Sequence, residues 1–425
     1  MKIRIRHGRV IDPASQLDAR QDIYIADGKI VALGEINEDF TADRVIDATG
    51  LYVIPGLVDL SVRLREPGQE HTATIQSETA AAAAGGVTTL CVPPDTDPVI
   101  DNPAIVELIE DRAKKSARAM VLTMGAMTQK LNGELLAEMT RLKEAGCVGI
   151  SNGLTALKNN VILQRAMSYA ATLDLTLFLN AADPWLQQQG CVHEGAVSSR
   201  LGLAGIPESA ETIGVSRDLI LIEQTGVRAH FHNLSSARAV KLIREAQSRG
   251  LPVTADVSAH HLHLSEHDLG NYDSLSHVMP PLRSIRDREQ LQQGVRDGVI
   301  AAISSHHQPL DRDDKLGPFA ETQPGISGLE TLLPLTLKLV EDDEIALHRA
   351  VAAITCNPAD ILGIDAGQIK VGAHADICLV DPDSEFECQP MDFVSAGKNS
   401  PFAGWLFNHQ VSHTLFHGRL VHERD

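Results

Sequence analysis

GVTTLCVPPDTDPVIDNPAIVELIEDRAKKSARAMVLTMGA, residues 86–126, reads as strand, turn, helix, strand. Its first apolar run is rich in Val and Thr, whose branched side chains suit a pleated surface, and it stops at two prolines. Asn102 before Pro103 opens an amphipathic stretch that predicts a helix over 102–116, and a second apolar run follows. Two strands joined through a helix are the unit of a parallel sheet. The same alternation extends in both directions. YVIPGLVDL (52–60) precedes it; CVGISNG (147–153), LTLFLNAA (175–182), RAHFHNLSS (228–236), LPVTADVS (251–258) and VIAAISSH (299–306) follow. Further helices are predicted over 135–145, 160–172, 207–225 and 237–249. Eight strands alternating with helices predict an α/β fold of the (β/α)8 TIM-barrel type over residues 53–364, with any active site at the C-terminal ends of the strands.

Outside that span the texture changes. The first fifty residues and the end of the chain, GQIKVGAHADICLVDPD and VSHTLFHGRLVHE, alternate in period two and turn at Gly and Asp. Residues 1–52 and 365–425 are therefore expected to build one small β-sandwich, with the barrel inserted between its halves. Of 425 residues, 37 are Lys or Arg and 56 Asp or Glu, a formal charge of −19 with no basic run, which disfavours nucleic acid or an anionic membrane as partner. Six scattered cysteines form no CxxC pair and read as reduced, buried thiols. MKIRIRHGRVIDP lacks the apolar core of a secretory signal, and no run approaches the ~20 apolar residues of a membrane span. A cytoplasmic protein is expected.

Several stretches resemble, in order, the amidohydrolase superfamily and within it the dihydroorotases. They are PGLVDLSVRLREPG (55–68), GGVTTLCVPPDTDP (85–98), HEGAVSSRLGLAGIP (193–207), VTADVSAHHLHL (253–264), PPLR (280–283), SHHQPLDRDDK (305–315), PGISGLETLLP (324–334) and NPADILG (357–363). The resemblance implies a barrel enzyme that cyclises carbamoyl aspartate. Its zinc ions are held by imidazoles and carboxylates at several strand ends, and a carboxylate moves the proton.

Station by station, those ligands are missing. The Asp-x-His-x-His element of the first strand stands here as Asp59, Leu60, Ser61, Val62, Arg63. Serine is a feeble zinc ligand, and a guanidinium ~4 Å from a dication costs roughly 8 kcal/mol at an effective dielectric near 20. Asn152 replaces a carboxylate, Asn180 and Asn233 replace histidines, and His306 stands where the family's ligand and general base, an Asp, would be. On the substrate side Arg65 keeps the family's carboxylate-binding arginine, whereas Asp95 and Met279 replace asparagines and Leu310 a histidine. No metal, cofactor or catalytic residue is expected.

Plainer roles are assigned to the rest. Arg63 is read as pairing with Asp59 or Asp95. His260, His261, His263, His306 and His307 are read as hydrogen-bonded structural residues, Gly85 and Gly86 as close-packing positions, and NPADILG as a capping turn. The pattern resembles the noncatalytic dihydroorotase-like chains that accompany aspartate carbamoyltransferase in certain bacteria. That resemblance implies the partner: a pseudoenzyme, homo-oligomeric within a hetero-oligomeric assembly with the transcarbamoylase catalytic chains. The alternative is an amidohydrolase-fold enzyme with metal-independent or relocated-metal cyclic amide chemistry.

Overall fold

The computed structural model describes residues 1–35 and 40–424. Eight parallel strands follow one another around a barrel: β1 (Leu57–Asp59), β2 (Val87–Val92), β3 (Met120–Ala126), β4 (Gly149–Ser151), β5 (Leu177–Leu179), β6 (Ala229–Phe231), β7 (Val253–Ser258) and β8 (Ala302–Ser304). The (β/α)8 expectation holds. β1 and β8 do not pair as regular strands. They meet just beyond their ends, where His307 N donates to Ser61 O at 3.1 Å and Arg63 N to His307 O at 3.0 Å. Asp59 reinforces that seam by accepting from Ser305 N at 3.1 Å.

Local signals place the outer helices. α1 (Ile75–Ala84) starts at a Thr74–Ser77 capping box. α2 (Pro103–Ser116) is capped by Asn102, whose side chain accepts from Ala104 N. α3 (Met139–Glu144) is shorter than the predicted 135–145, because Leu135 and Leu136 are drawn into backbone pairing with Gln129 and Thr128. α4 (Asn160–Thr172), α5 (Glu208–Thr225), α6 (Ala237–Ser248) and α7 (Ile285–Asp297) follow. In α6 the buried residues Ala239, Val240, Ile243 and Ala246 recur at one face, which packs inward against the barrel core. NPADILG, expected as a capping turn, lies within a helix of its own, Cys356–Leu362, ended by Gly363 in the left-handed conformation.

Two further sheets lie outside the barrel, and the second carries strands from both chain ends. One holds Lys2–Arg6, Ile23–Ala26, Lys29–Leu33 and Arg44–Asp47. The other orders Arg419–Glu423, Gln410–Phe416, Ile377–Asp381, Tyr52–Pro55, Arg9–Asp12 and Leu17–Arg20. Ile3, Ile5, Ile23, Ile25, Val53, Ile377 and Leu415 bury a separate apolar core between them. The strand expected over 52–60 is divided. YVIPGLVDL is two strands: Tyr52–Pro55 pairs with Ile377–Asp381 in the second sheet, and only Leu57–Asp59 enters the barrel. Gly56 makes the changeover possible, since a Cβ there would sit 2.1 Å from Thr88 Oγ1. Gly86 closes the same junction at φ +80°, with Cys378 Sγ 2.6 Å from where its Cβ would be. No helix among the described residues is long and apolar enough to cross a membrane. All six cysteines are unpaired, and five of them are buried.

Candidate functional site at the barrel mouth

The residues singled out in the sequence ring the C-terminal ends of the strands. Ser61 and Arg63 follow β1, Asn152 follows β4, Asn180 follows β5, Asn233 lies beyond β6, and His306 lies beyond β8.

Arg63 reaches across to Asp95 after β2, with Nη2 and Nε at 2.7 and 3.1 Å from the same carboxylate oxygen. Of the two partners considered for it, Asp95 is the one it meets. Asp59 remains fully buried behind this pair. Burial pushes its carboxyl up to about 6, against the hydrogen bonds from Ser305 and Ser61 that favour the anion. Asn152 is spent on the loop: its Oδ1 accepts from Thr128 Oγ1 at 2.8 Å, and its Nδ2 donates to Thr155 O at 3.0 Å. Asn233, at φ +53°, receives a 3.4 Å contact from Ser304 Oγ. His306 is buried and stacks against His260 with ring centroids 6.2 Å apart; burial and the nearby Arg63 hold it well below the ordinary imidazole range. With Asn180, these are three neutral amides, a hydroxyl, a guanidinium and one imidazole. Such a donor set does not fit the zinc centre that the fold family implies, because tetrahedral zinc needs three or four imidazole, thiolate or carboxylate ligands.

The substrate-side residues are also committed elsewhere. Arg65 Nε donates to Pro309 O at 2.9 Å and Nη1 to Gln69 Oε1 at 3.1 Å. Met279 takes a 3.4 Å contact from Gln187 Nε2 at its sulfur, and Leu310 is buried. Two small hollows touch the singled-out residues. One, of about 30 Å³, is lined by Asn180, His232, Asn233 and Met279 among others; another, of about 20 Å³, lies beside Asn152, Asn180 and Asp218. Larger hollows of about 740, 700 and 570 Å³ lie beside Met120 and Phe416 at the other end of the barrel, beside Arg238 and Ser284, and beside Ser199 and Gly205, and none of the singled-out residues lines them.

His260 and His261 sit in a single helical turn, Ala259–Leu262, both buried with rings 4.7 Å apart. His307 anchors a loop network. Its Nδ1 accepts from Gly328 N at 3.0 Å, so its Nε2 carries the proton directed at Glu78 Oε2, 2.8 Å away. Glu78 also accepts from Ser395 Oγ at 2.6 Å and Ala396 N at 3.1 Å. Burial alone would raise the Glu78 carboxyl, yet His307 and the hydroxyls of Ser395 and Ser77 bring it below its ordinary value. The GISGLET segment is thereby tied to α1 and to the loop at 395–397.

One cluster escaped the sequence reading. His230 and His232 lie two apart at β6, and Asp256 lies on β7. Each of the three offers a donor atom, and these atoms lie within 4.8 Å of one another. His232 Nδ1 is 2.9 Å from Asp256 Oδ2 and His230 Nε2 is 3.4 Å from it, while Asn233 N donates to Asp256 Oδ1. Asp256 is held far below the ordinary carboxylate range. Burial opposes that shift, and the two imidazoles outweigh it. The signal was present in HFH: side chains two apart on a strand share a face. The β6–β7 register, which pairs His230 with Thr254 and Phe231 with Ala255, then brings Asp256 beside His232.

Comparison with known proteins agrees with this architecture. The Dihydro-orotase-like family profile matches residues 50–238, and an Amidohydrolase family profile matches 325–422. The chain is 49% identical over 423 residues to a dihydroorotase-like protein of Pseudomonas aeruginosa, with 100% of each chain covered. It is 40% identical over 423 residues, again covering 100% of each, to a dihydroorotase of Geobacter sp. strain M21. Among solved structures, an L-hydantoinase (dihydropyrimidinase) from Arthrobacter aurescens superposes with a TM-score of 0.89 at 24% identity, covering 99% of this chain and 96% of that one. At that identity the likeness concerns the fold alone. With full-length relatives at 40–49% identity and the barrel in place, the chain belongs to the dihydroorotase-like family of the amidohydrolase superfamily.

Proposed function

We propose that this chain is a catalytically silent dihydroorotase-like protein, retained as a structural subunit that assembles with aspartate carbamoyltransferase catalytic chains in pyrimidine biosynthesis. The observation that carries the proposal is the Arg63–Asp95 ion pair, which places a guanidinium at a family metal-ligand position. The hollows that touch Asn152, Asn180 and Asn233, about 30 and 20 Å³, are far below the roughly 300–1,000 Å³ of small-molecule sites. A barrel that keeps its core and strand order while its mouth is filled fits a duty performed by its surface. The partner is inferred from the family resemblance, and a homo-oligomer within the joint assembly is part of the same reading. Size-exclusion chromatography of the mixed, separately purified proteins tests it. A stable co-eluting complex is expected, with transcarbamoylase chains that assemble poorly alone. Independent elution at micromolar concentrations, with full transcarbamoylase activity in the absence of this protein, would overturn it.

A second reading, cyclic amide chemistry at a relocated metal, is favoured by the His230–His232–Asp256 cluster and by relatives at 40% identity that are named dihydroorotases. Against it stands the lack of a carboxylate at position 306 to move the proton. Carbamoyl aspartate cyclisation and dihydroorotate hydrolysis, assayed with added zinc, separate the two: turnover clearly above background selects the enzyme.

A further inference from the structure

The geometry points to a structural site for a divalent transition-metal ion between β6 and β7, formed by His230, His232 and Asp256. None of these three positions is among the stations where the family resemblance placed metal ligands. The inference is independent of the assembly proposal and holds whether or not a partner binds.

Four observations carry it. Imidazole and carboxylate donors are the set that suits zinc and its first-row neighbours. The spacing fits: with metal–ligand bonds of roughly 2.0–2.1 Å, separations of 2.9 and 3.4 Å subtend angles of about 90° and 110° at a shared ion. His230 Nε2 is buried, makes no hydrogen bond among the described residues, and faces the Asp256 carboxylate. Its other nitrogen, Nδ1, lies 2.8 Å from Thr254 Oγ1, the kind of outer contact that fixes the ring of a metal-bound histidine.

The surroundings argue for a bracing role over a reactive one. His230 and Asp256 have side chains that are 0% exposed, and His232 is 9% exposed. The hollow of about 30 Å³ beside His232 and Asn233 has room for a ligand the size of one or two waters, enough to complete the coordination and too small for a cyclic amide.

The test uses the full chain, stripped with chelator and titrated with zinc. One equivalent is expected to bind and to raise the unfolding temperature, because a ligand held only by the native state stabilises it. His232→Gln, at the most exposed of the three positions, and Asp256→Asn, which keeps an acceptor for Asn233 N, should each weaken binding by ~100-fold or more. Removing the exposed imidazole in His71→Gln should leave binding unchanged. X-ray absorption on the zinc-loaded wild type provides a readout that does not depend on the variants folding: two imidazoles, the remaining ligands oxygen, and no sulfur. Failure to bind a stoichiometric ion, a sulfur ligand, or undiminished binding in both variants would overturn the site.

Discussion

The two walls of the barrel mouth have met the same problem differently. On the β1–β2 wall the charges answer one another: Arg63 and Asp95 pair with 8% and 25% of their side chains exposed, so water reaches one partner. On the β6–β7 wall Asp256 is sealed, and its oxygens face two imidazoles and a backbone amide. One wall is an ion pair at the edge of solvent; the other is an interior cluster with an unpartnered nitrogen. The difference teaches that loss of a family's ligands does not leave an inert hollow. Each wall is rebuilt around whichever charge it keeps, and the energetic stake is set by burial.

The largest effect should follow from removing the buried charge. Asp256→Ala deprives Asn233 N and His232 of their acceptor, and breaking a buried ionic cluster in this way costs roughly 3–5 kcal/mol. Arg63→Met should cost only about 1–2 kcal/mol. Water can solvate the Asp95 left behind, and Arg63 Nη1 is itself buried without a hydrogen-bond partner among the described residues. Urea unfolding at neutral pH measures both. If the order reversed, the contrast between the walls would be broken.

Asp59, between them, sharpens the comparison through pH. Its folded value of about 6 lies above the ordinary 3.8, so burial disfavours its anion. Its contribution is therefore fully present below about pH 4 and is lost as pH rises through 6. The difference amounts to on the order of 3 kcal/mol. Asp59→Asn keeps an oxygen acceptor for Ser305 N and cannot ionise. Relative to wild type, the variant should gain stability between pH 4 and 7. Parallel stability curves across that range would show that Asp59 stays solvated.

The smallest effect expected is on catalysis. Ser61→His with Arg63→His restores two imidazoles to the β1 wall, yet Asn152, Asn180 and Asn233 remain amides and position 306 still lacks a carboxylate. A missing general base alone forfeits roughly 10² to 10⁴ in rate. Carbamoyl aspartate cyclisation by the double variant with zinc should stay at background; clear turnover would mean that a metal centre forms without the other stations.

Much of this was legible in the chain itself. The alternation of apolar runs and capped helices specified the barrel, because strand and helix periods are local properties. The identities of Ser61, Arg63, Asn152, Asn180, Asn233 and His306 likewise specified what the strand ends could not do, because donor chemistry belongs to the residue. Partnership was another matter. That YVIP leaves the barrel, that Arg63 chooses Asp95, and that His307 locks onto Glu78 all depend on segments distant in sequence. The meeting of His232 with Asp256 needed the register of two strands as well as their periodicity. Side-chain identity and period are set within a few residues, whereas burial and pairing are set by which strands become neighbours, and only the folded barrel decided those.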